Sequence, residues 1–332
     1  MENPESLDYN LFLLGSGFTR AVFPDAPLNK DLLQTVIKSS PKSHLMKYQK
    51  QYNTNDVEVL LTRLDLEAHN NQEIEVDRKA IERDLVEYFQ QFRFKKEILQ
   101  NNPWLESIAK ELFKKNDAII TLNYDCFLEG LLDYYEVWSP NGYAAIDTFF
   151  SKQLPQNPKN ILIYKIHGSE HFIISSAYPD PSKRAISFDV NSSIYPQSGN
   201  RRCYDGGIIN PESYIIAPSF VKIPNECIEW MMIEALNKAA TAKNLIIIGC
   251  GLRPEDSFLW LLVTNFLYQR KMGRRLIIVD LQAKEIKAKI SNHYFEDIEE
   301  FSVKAILFTN GLASDCDRLI KCLDNLRKEE VN

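Results

Sequence analysis

A chain of 332 residues, 45% hydrophobic and 11% aromatic with a formal net charge of −6, can bury one large core but is short for two full ones. A single domain over 1–332 with sizeable insertions is expected. The negative balance excludes a strongly basic nucleic-acid footprint, so no direct nucleic-acid binding is expected. The six cysteines (Cys126, Cys203, Cys227, Cys250, Cys316 and Cys322) form no C-x-x-C pair. That excludes a zinc ribbon or a thioredoxin-type site and suits buried thiols in a reducing compartment. Glu2 and Glu5 precede a brief apolar run, unlike the basic start of a secretory signal. The most apolar stretch, Phe258 to Tyr268, is too short to cross a bilayer. A soluble cytoplasmic protein is expected, without metal or membrane.

Tyr9 to Gly15 reads as a buried strand running into Gly15-Ser16-Gly17-Phe18-Thr19-Arg20. Strand, glycine turn and helix is how a backbone approaches a pyrophosphate closely. Arg20 stands where a dehydrogenase fingerprint has its third glycine, and no acid-ended strand follows at the usual spacing, so hydride transfer fits poorly. Arg20 could meet a phosphate or pair with an acid at the helix start.

Residues 26–116 read as a helical insertion, with helices over Leu28–Ile37, Val57–Glu67, Arg78–Leu99 and Trp104–Lys114. In the third, Ile81, Leu85, Tyr88, Phe89 and Phe92 share one face, which points to packing rather than to a cofactor box. The apolar run from Ala118 is a second strand ending in Thr121, Asn123 and Asp125, just before a helix opening at Phe127. An amide there offers one acceptor and two donors without charge, enough to orient a hydroxyl or a water. Asn123 alone also fits a plain turn residue.

Ile161 to Gly168 predicts a third strand ending in His167-Gly168-Ser169. Residues 170–213 form a long irregular insertion, rich from 175 onward in Pro, Ser, Asn, Asp and Gly, of the kind used as a lid or binding loop. Tyr214 to Pro218 is expected to return to the sheet, followed by a helix around Ile228–Ala240. Asn244 to Leu252 is another buried strand entering a glycine turn, Gly249-Cys250-Gly251, with a helix beginning near Pro254-Glu255-Asp256. Arg275 to Asp280 ends in an acid; a glycine turn beside a carboxylate one unit later has the logic of an adenosine site, although a tight turn and a surface acid read equally well. Val303–Phe308 and a helix over Asp315–Lys328 close the chain. The fold class is α/β: a Rossmann-like parallel sheet with helices on both faces, a helical insertion and an irregular loop insertion.

The ordered set Gly15-Ser16-Gly17, Thr121-Leu122-Asn123-Tyr124-Asp125, His167-Gly168 and Gly249-Cys250-Gly251 resembles the sirtuin superfamily, especially the bacterial sirtuin-like branch of antiphage-defence NADases. The resemblance implies NAD+ as substrate. Gly15, Ser16 and Gly17 would line the pyrophosphate and nicotinamide-ribose side, with Asn123 the catalytic amide and Thr121 and Asp125 in its motif. His167 would be the catalytic histidine, and Gly249, Gly251 and Asp280 would face the adenosine. The zinc module of the protein deacylases is missing, and Pro218 falls where an acyl-lysine peptide would pair as a strand, removing a donor. These departures favour plain NAD+ cleavage by a toxic effector over the alternatives, a deacylase, an ADP-ribosyltransferase or a non-catalytic NAD/ADP-ribose-binding module. Control by homo-oligomerisation, a HerA-type ATPase or an Argonaute-like protein would follow the family precedent.

The chemistry asks little of the protein. The nicotinamide–ribose bond has a cationic leaving group and breaks towards a neutral base, so the two-carboxylate machinery of glycosidases is unnecessary. One group must hold ribose and water, for which Asn123 serves, and one must accept a proton near neutrality, for which His167 serves. His167 alone also fits a buried histidine satisfied by the backbone, and His171 reads as a bystander.

Overall fold

The computed structural model describes residues 9–40, 43–139, 142–144, 161–175, 186–188, 211–221, 224–270 and 272–329. Continuous runs of Leu, Ile and Val, such as Leu245 to Ile248, suit strands buried on both faces, and six of them form one wholly parallel sheet. These are β1 (Asn10–Leu14), β2 (Ala118–Thr121), β3 (Leu162–Lys165), β7 (Asn244–Ile248), β8 (Arg274–Val279) and β9 (Val303–Phe308). Their order is β3-β2-β1-β7-β8-β9. The chain winds outward from the centre in both directions, and right-handed crossovers then place connecting helices on opposite faces. The architecture is the doubly wound, Rossmann-like one that the sequence predicts, with its topological switch between β1 and β7.

The switch is also the tightest place in the fold. Gly15 N donates to Ile248 O and Gly17 N to Gly249 O, at 3.0 and 2.9 Å. A Cβ on Gly15 would lie 2.5 Å from Gly249 O, and one on Gly17 2.7 Å from Gly249 Cα. Gly249 itself has φ +59°, and its own Cβ would lie 2.5 Å from the Gly17 carbonyl carbon. The glycines let two turns pack backbone to backbone.

Between β1 and β2 lie α1 (Ser16–Val22) and then α2 (Asn29–Ser39), α3 (His44–Tyr52), α4 (Val57–Ala68) and α5 (Gln72–Phe89). The last four have a core of their own around Leu33, Leu60, Ile81 and Leu85. That core also contains Tyr124, Ile215 and Ala217, so these helices pack directly on the loop after β2. Three expectations need correction here. Helix α3 was not read from the sequence; Ser43 caps it, and Asn53 ends it in the left-handed region. The helix expected over Arg78–Leu99 starts at Gln72, because the Asn71 side chain accepts from Glu73 N and Ile74 N, and it stops at Phe89. The chain is extended at Arg93, which frees that side chain to reach Glu170. The helix expected over Trp104–Lys114 is a short α turn, Trp104–Ser107, followed by a π turn, Ile108–Leu112.

The region after β3 differs most. β3 ends at Lys165, and Gly168, at φ +76°, turns the chain into β4 (Gly168–Ser175). β4 pairs antiparallel with β5 (Ser187–Phe188) and β6 (Pro211–Ile215) in a separate three-stranded sheet. The segment Tyr214–Pro218 therefore does not rejoin the main sheet, and residues 170–175 are strand rather than irregular chain. Tyr124 explains the capture of this segment, since its hydroxyl donates to Ile216 O and its carbonyl accepts from Glu170 N. Most of the expected excursion beyond 175, and Cys203, lie outside the described residues. Among the described residues no helix is long and apolar enough to cross a membrane.

Gly249→Ala should place a methyl group against the Gly17 backbone and force a left-handed φ on alanine. A loss of roughly 2 kcal/mol or more is expected in urea unfolding. A variant as stable as the parent would show that the two turns can separate freely.

Candidate functional site

One row of the sheet register aligns Lys165, Thr121, Leu14, Ile248 and Val279 across five strands. The residues just beyond that row share one edge of the sheet: His167, Asn123, Gly15 to Gly17, Gly249 to Gly251 and Asp280. Asn123 and His167 have the same offset on neighbouring strands, whose axes lie on the order of 5 Å apart. Two side chains 44 positions apart in the chain are thereby brought to one place, at the carboxyl edge where doubly wound sheets open their crevice.

The orientation of Asn123 is fixed. Its Nδ2 donates to Gly15 O at 3.1 Å and to Thr19 Oγ1 at 3.0 Å, and its N–H donates to Thr121 Oγ1. With both amide protons committed, Oδ1 is left as an acceptor, and no described residue donates to it. Thr19 Oγ1 passes the chain on by donating to Asp125 Oδ2 at 2.8 Å. Asp125 is fully enclosed, and burial pushes its carboxyl up to about 6 against the opposing pull of Lys165 and the Thr19 hydroxyl.

Behind this loop lies a buried polar network. Lys165 Nζ donates to Asp125 O at 2.6 Å and pairs with Glu129 at 2.7 Å, both side chains essentially without solvent exposure. Burial presses the Lys165 ammonium down, but Glu129 and the neighbouring acids hold it above its ordinary value. Tyr143 donates to Glu129 Oε1 and lies 3.0 Å from His171 Nε2. The phenol proton faces the carboxylate, so His171 Nε2–H donates to Tyr143 and Nδ1 accepts, with Cys126 Sγ at 2.7 Å and Ser169 Oγ at 2.9 Å beside it. Burial, with Lys165 and Arg93, holds His171 well below its usual range, and burial, with Glu170 and Glu129, raises the Cys126 thiol. Cys126 therefore stays a protonated thiol facing a neutral imidazole. His171 is no bystander, since it helps to clamp the turn that presents Asn123.

His167 is buried, its ring stacked on Tyr124 with centroids 6.3 Å apart and 29° between planes. Its Nε2 lies 3.3 Å from Asp256 Oδ2. Asp256 occupies the N-cap position of the helix Ser257–Leu267 yet makes no capping bond to it. An aspartate there ordinarily caps its own helix; here the carboxylate faces the imidazole. Asn123 and His167 thus belong to adjoining clusters joined through Tyr124.

The remaining expected residues separate by location. Ser16 is half-buried beside Asn123's partner Gly15. The amides of Gly15 and Gly17 donate to Ile248 O and Gly249 O, which holds the two strand exits together. Gly251 is exposed with open space at its Cα, and its carbonyl accepts from Lys289 Nζ at 3.0 Å. Asp280 Oδ1 accepts from Gln282 N, which leaves Oδ2 without a described donor. Arg20 donates to Ala26 O and lies 3.8 Å from Asp31, in the first turn of α2. Among the described residues no group of three or more His, Cys, Asp or Glu side chains is arranged to hold a metal ion.

No family model matches the chain, and no curated protein matches it. Several solved structures resemble it loosely. A Sir2 homologue mutant in complex with ADP-ribose aligns at TM-score 0.47 and 13% identity, over 97% of this chain and 93% of that one. A structure described as the basis for the mechanism and regulation of Sir2 enzymes aligns at 0.42 and 12%, over 98% and 96%. One of Sir2Af2 bound to a myristoylated histone peptide aligns at 0.39 and 12%, over the same shares.

Thr19, Lys165, Glu129 and Asp256 went unread as members of the site. Lys165 did leave a signal, an ammonium inside a strand buried on both faces. Asp256 was masked by its resemblance to an ordinary helix cap.

The Asp125 carboxyl keeps its proton in the fold between its ordinary 3.8 and about 6. Its folded pKa is raised, so the stability it contributes is present at low pH and is lost as pH rises through that window. The difference in unfolding free energy between the parent and Asp125→Asn should therefore fall by ~2 kcal/mol between pH 4 and 6. A difference constant with pH would contradict this assignment.

Proposed function

We propose that this protein is an NAD+ hydrolase that cleaves the nicotinamide–ribose bond to give nicotinamide and ADP-ribose. The observation that carries the reading is the locked amide of Asn123. Both of its donors are committed to Gly15 O and Thr19 Oγ1, so a single acceptor is left on a half-buried side chain at the carboxyl edge, with the His167–Asp256 pair by the next strand end. In this reading Asn123 Oδ1 accepts from a ribose hydroxyl or from the incoming water and fixes its direction. As nicotinamide departs with the bonding electrons, water adds to the oxocarbenium-like ribose. Its proton passes to His167, which is oriented by Asp256, and then to solvent. The enzyme adds no charge at the leaving group, because the departing base is already cationic in the substrate.

Gly249, Gly251 and Asp280 line the adenosine end, where Asp280 offers its second oxygen to a ribose diol. Ser16 faces the nicotinamide-ribose side. The motif resemblance drawn from the sequence supports the same substrate and extends the proposal to a toxic effector of antiphage defence. An unregulated NAD+ hydrolase would deplete its own cell, so control by self-assembly or by a partner, such as a HerA-type ATPase or an Argonaute-like protein, belongs to the proposal.

In its activated, assembled state the purified protein should release nicotinamide from NAD+. Asn123→Ala and His167→Ala should each lower that release by ~100-fold or more with folding intact. Full activity in either variant removes that residue from its role. Release that requires an acylated peptide would select a deacylase, and binding without turnover a scaffold. Full turnover by a freshly purified monomer would end the idea of control by assembly.

A further inference from the structure

The helices between β1 and β2 make a polar contact with the loop that carries Asp256. Glu58, in the first turn of α4, is 5% exposed, and its carboxylate is gripped by both Nη1 and Nη2 of Arg253. The carboxylate is set in place from its own side too: Asp56 caps the helix at Glu58 N, and Asn29 Nδ2 donates to Glu58 Oε1. A bidentate guanidinium–carboxylate pair fixes direction as well as distance.

Arg253 stands in the middle of a constrained loop. On one side Leu252 is buried at φ +46°, a conformation that a leucine adopts only when its surroundings impose it. On the other, Asp256 N donates to Arg253 O at 3.1 Å, and Trp260 Nε1 donates to the same carbonyl. The closed turn from 253 to 256 makes the pose of Asp256 follow that of Arg253. Asp256 then meets His167 at 3.3 Å.

We propose that Glu58 and Arg253 are positioning residues, through which the helical insertion sets Asp256 against His167. This rests on the proton-accepting role given to His167 above. Glu58 touches no reacting atom; its effect runs through Arg253 and the turn. The insertion thereby gains a mechanical input to catalysis. A shift of α4 relative to the sheet either loosens or seats the loop that orients the imidazole, while Asn123 keeps its own bonds to Gly15 and Thr19 in β1's turn and helix.

Two variants test this in the full chain. Glu58→Gln keeps the shape and removes the charge. Arg253→Lys keeps the charge and loses the fork, at a side chain that is 38% exposed and so poses little threat to folding. In both, amide exchange over 252–256 should rise by about tenfold while β1 and β7 stay protected. In both, kcat for nicotinamide release should fall about fivefold or more with KM nearly unchanged, and the double variant should be no worse than the stronger single one. Unchanged exchange, or faster exchange with unchanged kcat, overturns the proposal. A parent protein with no turnover in any state would instead overturn the hydrolase reading, and with it the positioning role. The exchange data would still report whether the clamp exists.

Discussion

The mutual contact of two glycine turns at the centre of the sheet is the constraint on which the site depends. β1 and β7 are hydrogen-bonded neighbours, and the chain leaves both at the same level. Gly15, Gly17 and Gly249 allow those exits to touch backbone to backbone, with Gly17 N bonded to Gly249 O. Any side chain there would push the turns apart and spread the strand ends. Because they stay together, Gly15 O is in place to receive Asn123, and the helix that begins at Ser16 brings Thr19 within reach of Asp125. The same glycine pattern is a packing device, whatever else it lines.

The second constraint is the density of bonds on the loop from Thr121 to Cys126. Leu122 N bonds Leu14 O, and Asn123 is held by Gly15 and Thr19. Tyr124 is tied to Ile216 and Glu170, Asp125 to Thr19, Phe127 and Lys165, and Cys126 to His171. An ammonium buried with no solvent contact is tolerable only because Glu129 and the Asp125 carbonyl replace its hydration. Half-satisfied, such a network would destabilise the fold; satisfied, it gives one loop conformation. In the proposed reading, rigidity of this kind is what Asn123 needs, because the direction of its one free acceptor is its whole contribution.

The other half of the site is held differently. His167 and Asp256 come from separate loops, one turning into the small antiparallel sheet and the other strained at Leu252 and tied to α4 by Glu58. Asn123 is thus bonded to the turn and helix that follow β1, while the loop carrying the partner of His167 is bonded to the helical insertion.

The sheet strands were legible from the sequence because each is a short, unbroken apolar run bounded by turn residues, and a strand buried on both faces can be little else. The carboxyl-edge residues were legible for the same reason: Asn123, His167, Gly249 and Asp280 each stand directly after such a run. The helix from Val57 was legible as well, and Asp56 caps it. What the sequence could not give was everything set by long-range pairing. The small second sheet exists because Tyr124 captures the backbone at Ile216, 92 residues away. The helix from Gln72 stops short because Arg93 is drawn to Glu170, 77 residues on. Asp256 looks like a cap until His167 is folded beside it. Periodicity and composition are properties of neighbours in the chain, and they determined the strands and the order of the sheet's edge residues. Which acid meets which base is decided by distances in space, so only the tertiary structure could assign Thr19 to Asp125, Lys165 to Glu129 and Glu58 to Arg253.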